Sequence, residues 1–416
     1  MKIADGVYVH FIPTQKYKTN RIVFRMTGSL NKQTIAKRAL VSQMLATANQ
    51  TYPTVQSFKE RLAFLYGTQL STRVSTKGLT HSVDIELTYL KDTFIPTNDG
   101  LFWEVLGFLK ECLYKPLSRV AQYQNKVFDI EKQNLKTYLD VDTENNYYYS
   151  EVKGRELYFV NEGLKVPKYG QAELVEAETS FTAYQEFQSM LTRDRIDIFM
   201  VGEFDDYQVL QALHRFPLEG RQVDLQFSYS QPYVNVVKEK IEPRQSSQSI
   251  LQLGYQFPCQ YGDKDYFALI VFNAMFGEFA HSALFTTLRE KEGLAYSISS
   301  QFDIFTGLLE VYAGIEKSNR DQAMRGISRE LNYIKLGRFS SSLLNQTKKI
   351  IRMNALLSED HALTLVEQRF NKVIFGDKSL SLENWLDEIE KVTKKDVCRV
   401  ARQVKLQSLF FLEGVS

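Results

Sequence analysis

One order of elements occurs twice in this 416-residue chain, and that repetition restricts its possible folds more than any single motif does. The first pass reads as a strand at Arg21–Met26, a helix over Lys37–Gln50 ("KRALVSQMLATANQ") and a helix near Thr54–Tyr66. Two strands follow, around Gln69–Ser75 and Ser82–Thr88. The second, "SVDIELT", alternates apolar and polar residues as a half-buried strand does. Helical spacing returns near Phe102–Cys112 and Leu117–Leu139, and "RIDIFMVGEF" closes the half as an apolar strand ending at Gly202. The second pass opens with a strand at Ser249–Tyr255, then helices near Tyr266–Phe276 and Ser282–Lys291. Strands at Ala295–Phe302 and Leu308–Ile315 come next. Helices follow at Arg320–Leu336, Ser340–Leu357, His361–Phe375 and Lys394–Val404, and "QSLFFLEG" ends the half as a strand. A duplicated α+β unit accounts for both passes: two similar domains, each an antiparallel-rich sheet with helices packed on one side.

Between the passes, Phe216–Gln248 mixes Pro, Gly and Ser with polar residues and reads as a connection. The expected division is an N-terminal domain over residues 1–220, a linker over 221–248 and a C-terminal domain over 249–416. Within the linker, the charge-dense "KEKIEPR" reads as solvated chain.

Composition narrows the function. With 44% hydrophobic and 24% charged residues, the chain is globular in character, and no run approaches the roughly 18 apolar residues of a membrane span. Its opening twenty residues lack the apolar core of a signal peptide, so the expected compartment is the cytosol. A net charge of +2 without a basic run argues against nucleic-acid binding, which needs a concentrated basic face. Three scattered cysteines, Cys112, Cys259 and Cys398, form no CxxC and read as buried thiols. Among five histidines no two fall one helical turn apart, which is the spacing a helical zinc site requires. No P-loop, G-x-G-x-x-G or G-x-S-x-G occurs.

The sharpest local signal is "ALFTTLREKEGLAYSISS", Ala283–Ser300. Leu284, Phe285 and Leu288 face a core, while Arg289 and Lys291 sit where cations suit the negative end of a helix dipole. Gly293 then supplies the positive φ that ends the helix, and the chain reverses into a strand near Ala295. Arg289 and Tyr296 together offer a planar cation and a phenolic donor, the chemistry that holds a peptide carbonyl and steadies an oxyanion. From the residues alone, the plainer reading is a solvated arginine and a packing tyrosine. A second stretch, "DTENNYYYSEVKGRELYF" (Asp142–Phe159), is rich in tyrosine. It reads as a packed loop or helix edge, or as a peptide-facing surface.

"LREKEGLAYS" resembles a segment in the C-terminal half of the pitrilysin/insulinase-like metallopeptidases, which include mitochondrial processing peptidase. The opening "DGVYVHFIPTQKYKTNRIVF", the helix leading to "LYGTQL", and "FDIEKQNLKTYL" fall in the same order as in that family. The resemblance covers nearly the whole chain and is nearest to small bacterial members associated with elongation factor P modification. It implies a two-domain α+β metallohydrolase half, one shell of a clamshell pair. The family's inverted zinc motif, H-x-x-E-H, matches "ALVSQ" here: Ala39 and Gln43 stand at the two histidines and Ser42 at the general base. In the later helix Glu131 fits the family's first acid, and Tyr138 falls at its third ligand. The resemblance therefore implies no metal in this chain, with zinc, activated water and base supplied by a homologous partner subunit. Arg289 and Tyr296 would contribute to cleavage of a short or unfolded peptide. A scaffold or peptide-binding subunit without a part in the chemistry is the alternative, and an independently active homodimer would need a metal site the sequence does not offer.

Overall fold

The computed structural model describes residues 1–95 and 100–415. They gather into two compact units. Unit 1 comprises Met1–Val141, Val166–Gln226 and Leu365–Arg369; unit 2 comprises Asp142–Lys165, Phe227–Thr364 and Phe370–Ser416. The grouping thus departs from a single cut at residues 221–248, because Asp142–Lys165 goes with unit 2.

Unit 1 contains the strands β1 (Lys2–Ala4), β2 (Val7–Pro13), β3 (Thr19–Ser29), β4 (Gln69–Lys77), β5 (Thr80–Leu90) and β6 (Arg195–Gly202). They form one sheet in the order β1-β2-β6-β3-β5-β4, antiparallel except for β2 beside β6. Its helices include α1 (Lys32–Leu45), α2 (Val55–Phe64), α3 (Leu101–Tyr114) and α4 (Asn125–Glu144), the last ending just past Val141. In unit 2, α5 (Asn146–Tyr158) precedes β7 (Lys238–Gln245), β8 (Ser249–Gln256), β9 (Ala295–Asp303), β10 (Leu308–Ile315) and β11 (Lys405–Val415). That sheet runs β7-β11-β8-β10-β9, with β7 parallel to β11. Setting β1 aside, the two orders are the same one, strand for strand, as the duplicated pattern requires.

Several boundaries differ from the sequence reading, each for a local reason. Helix α1 starts at Lys32, where the Asn31 side chain accepts from the Gln33 amide, and it stops at Leu45 rather than Gln50. Instead of a single apolar stripe, it buries residues around most of its circumference, including Arg38 and Ser42. The helix expected from Leu117 begins at Asn125, after a stretch in which Val120 and Ala121 adopt positive φ. "KEKIEPRQ" is not free chain but the edge strand β7, bonded to β11 along one side only. Its charges and Pro243 are what a sheet edge uses to discourage further pairing.

Alternate residues of unit 2's central strands face opposite ways. Leu251, Leu253, Leu409 and Phe411 enter the helix-covered core. Ile250, Phe410 and Leu412 pack on the other face against Tyr147, Tyr149 and Leu157 of α5. The tyrosine-rich stretch is therefore mostly a helix, laid across the sheet face opposite the main helical layer.

Candidate functional site

The segment that carries Arg289 is wound more widely than an α-helix over Phe285–Lys291. The Glu292 amide reaches the Thr287 carbonyl at 2.9 Å, a five-residue step, and such π turns are frequent at functional sites. Leu284 and Leu288 anchor the segment in the core. Gly293 takes φ +61° with open space where a Cβ would stand, so backbone conformation and not crowding calls for glycine there. Arg289 is exposed, and its guanidinium lies over the Phe285 ring, 4.7 Å from the centroid, one turn back along the helix.

Tyr296 occupies a special position on β9. The ladder with β10 pairs Gly314 with Ser297 and Ile315 with Ala295, so Tyr296 is the extra residue of a β-bulge. A bulge redirects a side chain. Ala295 and Ile298 are buried, while Tyr296 is 51% exposed. Its hydroxyl donates to the Glu316 carboxylate just beyond β10. That bond, to a group already negative, raises the phenol's pKa above the ordinary tyrosine value. Arg289 and Tyr296 flank one chain reversal and both reach solvent, but the two side chains share no hydrogen bond. Glu316 had no signal in the sequence, since only the register of β9 against β10 brings it to Tyr296.

The other singled-out positions lie in unit 1. On α1, Ala39 and Ser42 are buried. Gln43 is half-buried, and its carboxamide oxygen, shielded from solvent, has no hydrogen-bond partner. Just beyond the end of α1, the Thr47 hydroxyl donates to Glu131 of α4 at 3.0 Å. Tyr138, two turns along α4, is half-exposed and sets its ring edge-on to Tyr169. At Ala39 and Gln43 the helix presents a methyl and a carboxamide, which do not fit a zinc site needing two imidazoles one turn apart. Among the described residues, no three His, Cys, Asp or Glu side chains gather as metal ligands. No helix among them is long and apolar enough to cross a membrane.

Comparison with known proteins agrees with this picture. A family model described as "Peptidase M16 inactive domain" matches residues 184–351. The chain is 30% identical over 410 residues to the probable inactive metalloprotease YmfF of Bacillus subtilis, covering 98% of this chain and 96% of that one. It is 24% identical over 249 residues, 59% of each chain, to an uncharacterized zinc protease of the same organism, YmxG. Among solved structures, a conserved protein from Enterococcus faecalis V583 superposes with a TM-score of 0.97 at 36% identity, covering 100% of this chain and 98% of that one.

Proposed function

Because the chain belongs to the M16 metallopeptidase family, we propose that it acts as a non-zinc subunit that assists a zinc-bearing homologue in cleaving short or unfolded peptides. The observation that carries this reading is the Arg289–Tyr296 reversal, anchored from beneath by Leu284 and Leu288, in a chain whose α1 offers no zinc ligands at Ala39 and Gln43. In the assembled pair the partner brings metal, activated water and general base. Arg289 orients the substrate backbone, and Tyr296 donates to the oxyanion of the tetrahedral intermediate. The bulge supports this role, because it turns the phenol out of the sheet's alternation toward solvent.

The test combines the purified chain with its zinc-bearing homologue and follows peptide cleavage. Tyr296→Phe is expected to slow kcat by roughly 10²–10³, the loss typical of one oxyanion donor. An unchanged rate removes Tyr296 from the chemistry. A second reading, a scaffold that holds a partner or peptide without joining the chemistry, draws on the Tyr296–Glu316 bond, which already occupies the phenol's one proton. Equal rates for wild type and for the Arg289→Ala and Tyr296→Phe variants would favour it.

A further inference from the structure

Glu316 follows β10 directly and is exposed. It precedes the 3-10 turn Lys317–Asn319, yet its side chain makes no capping bond to that turn. Among the described residues it enters no ion pair: Lys317 beside it goes to Glu413 at 3.0 Å, and Arg320 goes to Glu239. Its one side-chain hydrogen bond among them is the bond it accepts from the Tyr296 hydroxyl. Within the described fold, then, nothing but the phenol draws on this carboxylate.

The phenol is equally committed. A tyrosine hydroxyl has a single proton to donate. The ladder pairs Ala295 with Ile315 and Ser297 with Gly314, and the bulge between them leaves Tyr296 beside the end of β10, where Glu316 stands. A hydrogen bond to an ionised acceptor is roughly twice as strong as one between neutral groups. While Glu316 holds the proton, an oxyanion forming beside Tyr296 meets lone pairs and a second negative charge instead of a donor. We infer that Glu316 is a latch on Tyr296: in the chain alone the carboxylate withholds the phenol, and the donor becomes available when Glu316 lets go. This rests on the reading of Tyr296 as an oxyanion donor, and adds the residue that regulates it. Because the contact is exposed, the latch is light, and its release is worth only a few-fold in rate.

Two measurements test it. The first uses the full chain alone, with tyrosine labelled at ring carbon Cζ and the Tyr296 resonance identified by its loss in Tyr296→Phe. Ionisation of the phenol is followed by NMR as pH rises. The wild-type midpoint is expected above the ordinary tyrosine value, and Glu316→Gln is expected to lower it, because the negative neighbour is gone. A midpoint that does not move overturns the latch. The second adds the zinc-bearing homologue and follows peptide cleavage. The carboxamide of Glu316→Gln accepts more weakly and can donate to the phenol oxygen, so kcat is expected to rise about threefold. In a Tyr296→Phe background the same substitution should change nothing, since no phenol remains to be released. An unchanged or lower kcat in the single variant, or an equal rise in both backgrounds, overturns the latch. The two failures are distinguishable. Full activity in Tyr296→Phe sinks the oxyanion reading and the latch with it, whereas a slow Tyr296→Phe beside an unmoved midpoint sinks the latch alone.

Discussion

The Arg38–His81 contact of unit 1 makes a sharp prediction about acid stability. His81 is wholly buried, with Nδ1 accepting from the Arg38 Nε–H at 3.0 Å and Nε2 donating to the Lys168 carbonyl at 2.8 Å. An arginine has no lone pair to offer, so the imidazole must be neutral with its proton on Nε2. A second proton would bring N–H against N–H and cation against cation in a site already stripped of water. Burial, then Arg38, push the His81 pKa down to about 3, from about 6.5 in an unfolded chain. Between those values the unfolded chain holds a proton that the native one refuses, so stability falls as pH falls. The slope approaches about 1.4 kcal/mol per pH unit once the unfolded histidine is fully protonated, and integrates to about 2.3 kcal/mol between pH 6.5 and 4.5. Glu186 and Asp194 beside Arg38 have carboxyls raised by burial and act in the opposite sense, so a matched variant is needed. His81→Gln keeps a donor toward Lys168 and an acceptor toward Arg38 but cannot titrate. Its stability difference from wild type should shift by about 2.3 kcal/mol in the variant's favour across that pH range. The assay is urea unfolding followed through Trp103 in a Trp385→Phe background, which leaves unit 1 with the only tryptophan. A pH-independent difference, or a His81 imidazole titrating above about pH 5 by NMR in the native protein, refutes the reasoning.

Two glycine substitutions separate crowding from conformation. Gly314→Ala should displace Tyr147, losing its bond to Ser297 and its edge contact with Tyr312. The expected loss, read by denaturant titration, is about 1–3 kcal/mol. Gly293→Ala meets open space and carries only the strain of positive φ, so it should lower stability by about 1–2 kcal/mol, with Gly293→Asn recovering part of it.

How much of this was legible in the sequence depended on how each element is buried. Strands β3, β5, β8 and β10 declare themselves because apolar runs or alternation record contact with a core. β7 does not, because an edge strand held by backbone bonds needs no apolar side chains, and its sequence looks like solvated chain. Helix α5 was obscured for a related reason: it lies on the sheet through tyrosines and small residues such as Ser150 and Gly154, which make no clear helical stripe. The Arg289–Gly293–Tyr296 reversal was readable from local chemistry, and Gly293 does take positive φ. The Tyr296 bulge was not, nor were the Glu316, Arg155 and Glu310 partnerships, because each depends on pairing or packing between distant residues.

Burial also limits what each candidate residue can be taken to mean. Ala39 and Ser42 lie inside unit 1, where packing alone restricts what may stand, so their identities are accounted for without any function. Arg289 and Tyr296 are under no such restriction. Both are solvent-facing, and surface substitutions away from special backbone features usually change stability by no more than about 0.5 kcal/mol. The fold needs Leu284 and Leu288 beneath the reversal and Gly293 at its corner; it does not need a guanidinium or a phenol above it. The Phe285 ring and the Glu316 carboxylate give these two groups contacts, but exposed contacts of this kind contribute little to stability. What a cation and a phenolic donor at the surface can supply is recognition of something that arrives from outside: a peptide on the catalytic reading, a partner or a peptide on the scaffold reading. The two readings part over whether the Tyr296 proton leaves Glu316 when the peptide is attacked, which is the difference the cleavage assay measures.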